Sequence, residues 1–370
     1  MLVAVGDVNV CEGVEALITT RDVGFLFDRV RSLLDCADLC FCNLENVFTT
    51  ATDGIPAQAH LLKARPESLT AIQAAGFNVV SLANNHIFDY REQGLRDTRA
   101  ALEALEIKAC GAGSDLRDAR QPVIMEQRGV RFGFLAYTVK GVQSATEQRA
   151  GAAVLDMEQM RLDIQALVPQ VDHVILSIHA GLEFVDYPHP DFREICRALV
   201  QIGVRLVIGH GPHVLQGAER YGAGLICYSL GNFVFDNALM DLSTNKAQEG
   251  LLLSCQLDKY GIVDYEITPV VINASFQPEP AVEERGIAIL ARLRKVSEAL
   301  IAEDYTQRYY HQASELWSTI NIAVNLRLIR EQGIVAFIRR LPRFKLIYLV
   351  LLVRFVLRKL CSYFRARVRP

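Results

Sequence analysis

The sequence predicts an α/β fold, and three observations carry that prediction. Short apolar runs rich in Val, Ile, Leu, Phe and Tyr recur along the first two thirds of the chain, mostly bounded by Gly, Asn, Asp or Pro. Between them lie longer segments whose apolar residues return every three or four positions. The polar residues with chemical potential gather where the apolar runs end, which is where α/β sheets carry their ligand sites.

Each element follows from one of those two patterns. Strands are expected at Leu2–Gly6, Asp38–Asn43, Asn78–Leu82, Pro122–Glu126, Arg131–Tyr137, His173–His179, Arg205–Ile208, Leu225–Ser229, Gly250–Leu257 and Val263–Val271. Helices are expected at Phe25–Leu34, Glu67–Ala75, Arg91–Leu105, Met157–Val168 and Phe192–Ile202. Gly222-Ala223-Gly224 reads as a hairpin turn. After Ala274 the texture changes. Gln277-Pro278-Glu279-Pro280 reads as a short stiff linker, and Val282–Glu303 and Thr306–Gln332 read as helices. The expected division is an α/β domain over residues 1–275, a helical region over 276–333 and a basic amphipathic tail over 334–370.

Composition narrows the function classes. The chain has 370 residues, 51% hydrophobic and 22% charged, which excludes a disordered, collagen-like or coiled-coil protein. The net charge of −3 hides an asymmetry: 10 of the 39 Lys and Arg follow Glu331, where no Asp or Glu occurs. The first 331 residues therefore hold 29 bases against 42 acids, and an acidic body argues against nucleic acid as a partner. Nine scattered Cys, several inside apolar runs, lack zinc-knuckle spacing and read as reduced, buried thiols, favouring a reducing cytosol. Met1 runs directly into Leu2-Val3-Ala4-Val5 without the basic and apolar regions of a signal peptide.

Five polar clusters sit at expected strand ends. They are Asp7 after the first strand, Asn43 and Glu45 after the second, Asn84-Asn85-His86 with Asp89 after the third, His179 with Gly181 and Glu183, and His210 with His213. One Asp after a strand is an ordinary turn or cap residue, and one His an ordinary structural residue. Five such clusters at equivalent places make a set of hard N and O ligands, suited to manganese, iron or zinc and free of thiolates. A pair of such ions would hold a hydroxide nucleophile and clamp a phosphate. The phosphate loop, the full dinucleotide fingerprint and the G-x-S-x-G elbow are all missing from the sequence.

These residues resemble the motifs of the bacterial CapA family of capsule or poly-γ-glutamate synthesis proteins, within the calcineurin-like metallophosphoesterase superfamily. The matching motifs are Gly6-Asp7, Asn43-Leu44-Glu45, Ala83-Asn84-Asn85-His86 with Asp89 and Gly94, His179-Ala180-Gly181-Leu182-Glu183, Gly209-His210-Gly211-Pro212-His213 through Gln216, and Tyr228-Ser229-Leu230-Gly231-Asn232 through Asp236. The resemblance covers about residues 1–275 and implies a four-layer α/β/β/α sandwich with a metal centre of one or two ions. It implies Asp7 on the first metal, Glu45 as the bridging carboxylate, Asn85 as an amide ligand, His179 on the second metal, and His210 and His213 completing the shells. His86 would act as acid or transition-state stabiliser, with Asp89, Glu183 and Asn232 orienting the others. Two positions depart from the pattern. Asn9 stands where the superfamily has His, and Ala180 where many CapA relatives have Trp.

The resemblance implies a metal-dependent phosphoesterase-type hydrolase acting on a phosphorylated or polymeric envelope substrate. The alternative is a non-hydrolytic accessory or polymer-binding subunit of a membrane-bound polymer synthase. In the tail, Leu346–Val353 is apolar throughout but covers only about 12 Å as a helix, too short to span a bilayer. Flanked by Arg and Lys, it fits an interfacial helix on an anionic membrane surface, or a helix docked on a partner or on its own core. The expected location is cytoplasmic, with the tail on the inner face of the membrane.

Overall fold

The computed structural model describes residues 1–56, 60–236, 245–316 and 319. The segment Met1–Ala302 is one compact unit, built on two sheets. The first sheet runs, edge to edge, Pro278–Pro280, Gly261–Ile272, Glu249–Asp258, Leu2–Val8, Leu39–Leu44, Val79–Ser81 and Lys108–Cys110. The short strand Asn232–Val234 pairs with the end of Leu2–Val8. The second sheet runs Ala218–Tyr221, Gly224–Cys227, Val204–His210, His173–His179, Val130–Thr138 and Val123–Gln127. In each sheet the site-bearing strands are parallel neighbours, so their C-terminal ends lie side by side.

The four layers follow from period-two patterning within buried strands. In Leu2–Val8, Val3 and Val5 face one core while Leu2 and Ala4 face the other. The first core joins the sheet to helices through Val14, Leu26, Ile72, Leu95 and Leu102. The second core lies between the sheets, where Phe41 stacks on Phe134 at 5.8 Å between ring centroids. On the far face of the second sheet, helix Met157–Leu167 starts where Asp156 accepts a hydrogen bond from Gln159 N, and it buries Met160, Ile164 and Leu167. Gly133 brings that helix close, since a Cβ there would meet Leu167 at 2.7 Å. The expected α/β/β/α sandwich is therefore the observed architecture. All ten expected strands are present within a few residues, and the Gly222-Ala223 turn closes the hairpin that pairs Tyr221 with Gly224.

Three expectations change. Gln277-Pro278-Glu279-Pro280 is not a linker: Pro278–Pro280 is an edge strand, with Ile272 opposite Pro278 and Val270 opposite Pro280. Proline is tolerated there because an edge strand needs hydrogen bonds on one side only. The helix that follows, Glu283–Ala299, does not stand apart from the α/β body either. Its Ile289 and Leu293 join the core between the sheets, and Ser297 Oγ accepts from Ala218 N at 2.9 Å. Phe25–Leu34 is also tighter than expected, with a 3₁₀ turn at Phe25–Val30 before a short α-helix at Arg31–Leu34. In the second unit, which begins at Glu303, residues 305–316 are helical; the rest of Thr306–Gln332 and the whole basic tail lie outside the described residues.

Eight described cysteines are free, and all but Cys36 are buried. None of the described helices is long and apolar enough to cross a membrane. Replacing Phe41 with Ala should lower stability by about 3–5 kcal/mol in urea unfolding, because it opens a cavity between two sheets that cannot close independently. A loss below about 1 kcal/mol would show that the stacked pair does not hold the sheets together.

Candidate metal centre

The strand ends of the two sheets meet over one buried cluster. Asp7 ends the first strand, and its position is set by a close backbone approach. A Cβ on Gly6 would lie 2.1 Å from Gly231 O, so only glycine lets Asn232–Val234 pair alongside. Asp7 sits directly opposite Asn43 in the parallel register, and Asn43 opposite Ser81 on the next strand. From the second sheet, His179 sits opposite His210. Asp7, Glu45 and His210 are fully buried; His179 and His213 are nearly so.

The distances define a shared pocket. One ligand atom each from Asp7, Glu45 and His179 lie within 4.8 Å of one another. His179 Nε2 is 3.1 Å from Glu45 Oε1, and His213 Nε2 is 3.7 Å from the same oxygen. His210 Nδ1 approaches Asp7 Oδ1 to 2.9 Å, but off the line of a hydrogen bond. Among the described residues, both ring nitrogens of His210 and Glu45 Oε2 are buried without a hydrogen-bond partner. Buried polar atoms are normally satisfied, so orphaned carboxylate and imidazole atoms converging on one point fit a cation. The cluster suggests a divalent metal site.

Hydrogen bonds fix the orientation of the set. Asp7 Oδ1 accepts from Asn43 Nδ2 at 2.9 Å, and Asp7 Oδ2 accepts from Gly211 N at 3.2 Å. Gly211 has φ +103°, and a Cβ there would press to 3.1 Å against the His179 ring. His213, itself left-handed at φ 56°, is held by its Nδ1 against Asn232 Oδ1 at 2.9 Å. Asn232 in turn donates to Ala247 O. Such outer contacts set ring orientation and tautomer.

Burial and charge pull the two carboxyls apart. Burial alone would raise Asp7, but contact with His210 and the charges of His210, His179 and His213 outweigh it and hold the group well below the usual carboxylate range. Burial pushes Glu45 up to about 8; Asp7 adds to that shift and His213 opposes it. Without a cation, the pair thus keeps one proton, on Glu45. Burial also lowers His179, keeping its imidazole neutral and able to ligate.

The remaining expected residues divide into three groups. His86 and Asp89 come together: His86 Nδ1 is 2.8 Å from Asp89 Oδ2, which also accepts from Leu62 N at 2.7 Å. Burial raises the Asp89 carboxyl while His86 opposes the shift. Asn85 lies half-buried on the same loop, between Asn84 and His86. Glu183 is exposed, and only its charge reaches His179 and Glu45. Asn9 is spent elsewhere, since its Oδ1 accepts from Cys11 N and its Nδ2 donates to Glu45 O. It ties two loops together through both ends of its amide. Sequence reasoning gave no role to Asn43, although its place at a strand end was a visible signal.

Two facing sheets with a buried carboxylate–imidazole cluster at their strand ends define an α/β sandwich that carries a candidate divalent-metal site. The sequence profile of the bacterial capsule synthesis protein family PGA_cap matches residues 1–237, and the chain belongs to that family. It is 29% identical over 285 residues to the capsule biosynthesis protein CapA of Bacillus anthracis, covering 75% of this chain and 68% of that one. It is 30% identical over 273 residues to the PGA biosynthesis protein CapA of Bacillus subtilis (strain 168), covering 73% and 70%. Among solved structures it is similar to a 5'-nucleotidase precursor from Thermus thermophilus, with a TM-score of 0.45 and 13% identity over 81% of this chain and 59% of that one.

A pH test follows from Glu45. Its folded value of about 8 exceeds the ordinary 4.5, so the metal-free native state holds an extra proton between those limits. That contribution to stability is complete below about pH 4.5 and is lost as pH rises through about 8. Urea unfolding in EDTA at about pH 5 and about pH 9 should show wild type losing on the order of a few kcal/mol more than Glu45→Gln. Equal losses in the two proteins would refute the buried-proton assignment.

Proposed function

We propose that the chain is a metal-dependent phosphoesterase-type hydrolase, acting on a phosphorylated or polymeric intermediate of capsule, poly-γ-glutamate or related envelope polymer synthesis. The observation that carries this reading is the convergence of orphaned buried ligand atoms at the strand ends, with the His86–Asp89 pair on an adjoining loop. Asp7, Glu45, Asn85, His179, His210 and His213 would hold one or two divalent ions, with manganese, iron or zinc matching the donor set. Bound there, the metal supplies Lewis acidity and a water acidic enough to be hydroxide near neutral pH.

The protein residues do the rest. Asp89 engages the Nδ1 side of His86, which leaves Nε2 to meet a phosphoryl or leaving-group oxygen and to carry the proton at that atom. Asn43 and the Gly211 amide keep Asp7 ionised and aimed inward. Glu183, exposed at the rim, adds negative charge beside His179 and Glu45 and so favours cation binding over its loss.

One observation favours a second reading. Asn9 puts an amide engaged with backbone groups where the superfamily has an imidazole, as expected of a site that binds metal and polymer without hydrolysis, in an accessory subunit of a polymer synthase.

Protein purified with manganese should contain metal and hydrolyse generic phosphoesters. Asp7→Ala and His179→Ala should abolish both, whereas His86→Gln should keep metal and lose about 10²–10⁴-fold in kcat. Metal without turnover would favour the accessory reading, and wild type without metal would overturn both.

The basic tail gives a separate expectation: binding to the anionic inner face of the membrane. Full-length protein should sediment with phosphatidylserine vesicles and lose that binding in salt; a chain ending at Gly333 should stay in solution. Equal sedimentation of both would reject a membrane role for residues 334–370.

A further inference from the structure

The buried amides of Asn43 and Asn84 form a continuous line between the metal-site carboxylate and the loop of His86. Asn43 Nδ2 donates to Asp7 Oδ1 at 2.9 Å. Asn43 Oδ1 accepts from Asn84 Nδ2 at 3.3 Å, and that same Nδ2 donates to Leu44 O at 2.8 Å. Asn84 Oδ1 then accepts from the backbone N–H of His86 at 3.1 Å. Asp7, Asn43 and Asn84 are all fully buried.

The line has a direction. Asp7 can only accept, so Asn43 must present its NH₂ to it, and this turns the Asn43 carbonyl toward Asn84. Asn84 must then present its own NH₂, which turns its carbonyl toward His86 N. An ionised aspartate at position 43 breaks the first link, because a carboxylate has no donor for Asp7, and an alanine there breaks it whatever the protonation. Water cannot substitute in a fully buried line, so each broken link leaves an unsatisfied group.

We propose that Asn43 and Asn84 are positioning residues that tie the placement of the His86 backbone to the orientation of Asp7, and so to occupancy of the metal site. This rests on the metal-site reading above, but its first half concerns the metal-free protein. Neither amide need touch substrate. Their effect on His86 passes through the hydrogen-bond line, and Asn43 acts on a residue that it does not contact.

The test is amide hydrogen exchange across residues 84–89 of the full chain, without metal and with zinc, alongside zinc affinity by calorimetry. In metal-free protein, both Asn84→Ala and Asn43→Asp should speed exchange at His86 by about tenfold, with exchange in the sheet cores unchanged. Combining them should add nothing beyond Asn84→Ala, because one line is cut either way. Zinc affinity should fall by about tenfold in Asn43→Asp and stay within about threefold in Asn84→Ala. Zinc should slow His86 exchange in wild type but not in Asn43→Asp. Asn43→Ala, measured alongside, removes the same donor without adding a charge or a hydroxyl that could replace it. His86 exchange unaffected by either Asn43 variant would overturn the proposal. Wild type that binds no zinc would defeat the metal reading and the coupling to occupancy, while the metal-free arm would still decide the amide line.

Discussion

Two carboxylates buried side by side, Asp7 and Glu45, are the constraint to which the rest of this structure answers. Removing one such charge from water costs several kcal/mol, and a second like charge nearby raises the cost. The fold meets this with opposite charge, donors and one retained proton. His210 and His213 lie beside the acids from the facing side, Asn43 and the Gly211 amide donate to Asp7, and burial favours the protonated form of Glu45 when no cation is bound. The close packing around the cluster serves the same end. Glycine at 6 and at 211 lets strand and loop approach the acids closely enough for these contacts to form.

This also explains why the helix Glu283–Ala299 belongs to the body. The sheets must keep a fixed separation at the strand ends for ligands from both to meet. The helix packs Ile289 and Leu293 into the inter-sheet core and bonds through Ser297 to the edge strand of the second sheet. The Pro278–Pro280 strand delivers the chain to that position.

Much of this was legible in the sequence, for physical reasons that can be named. Parallel strands buried on both faces are continuous apolar runs, and their ends are the only places where a buried polar residue can be approached from several strands. Asp7, Glu45 and His179 stood out on that ground and lie together, with His210 beside Asp7 and His213 beside Glu45. The misses share a different cause. Pro278–Pro280 looks like a linker because an edge strand depends on its partner and carries no periodicity of its own. Asn9 stood out only as a departure from the superfamily histidine, because sequence shows a side chain's chemistry but not which backbone groups engage it. Asn43 and Asn84 were visible as strand-end residues, but the line that they make appears only in their side-chain hydrogen bonds.

The division of ligands between the sheets has a consequence for biosynthesis. The acids Asp7 and Glu45 leave the ribosome well before His179, His210 and His213, and at the usual rate of about 5–20 residues per second the gap lasts seconds. Until the second sheet forms, the early half of the chain carries its acids without the imidazoles that compensate them. The cluster can close only after translation has passed Asn232, so acids and imidazoles come together only once both sheets have been made.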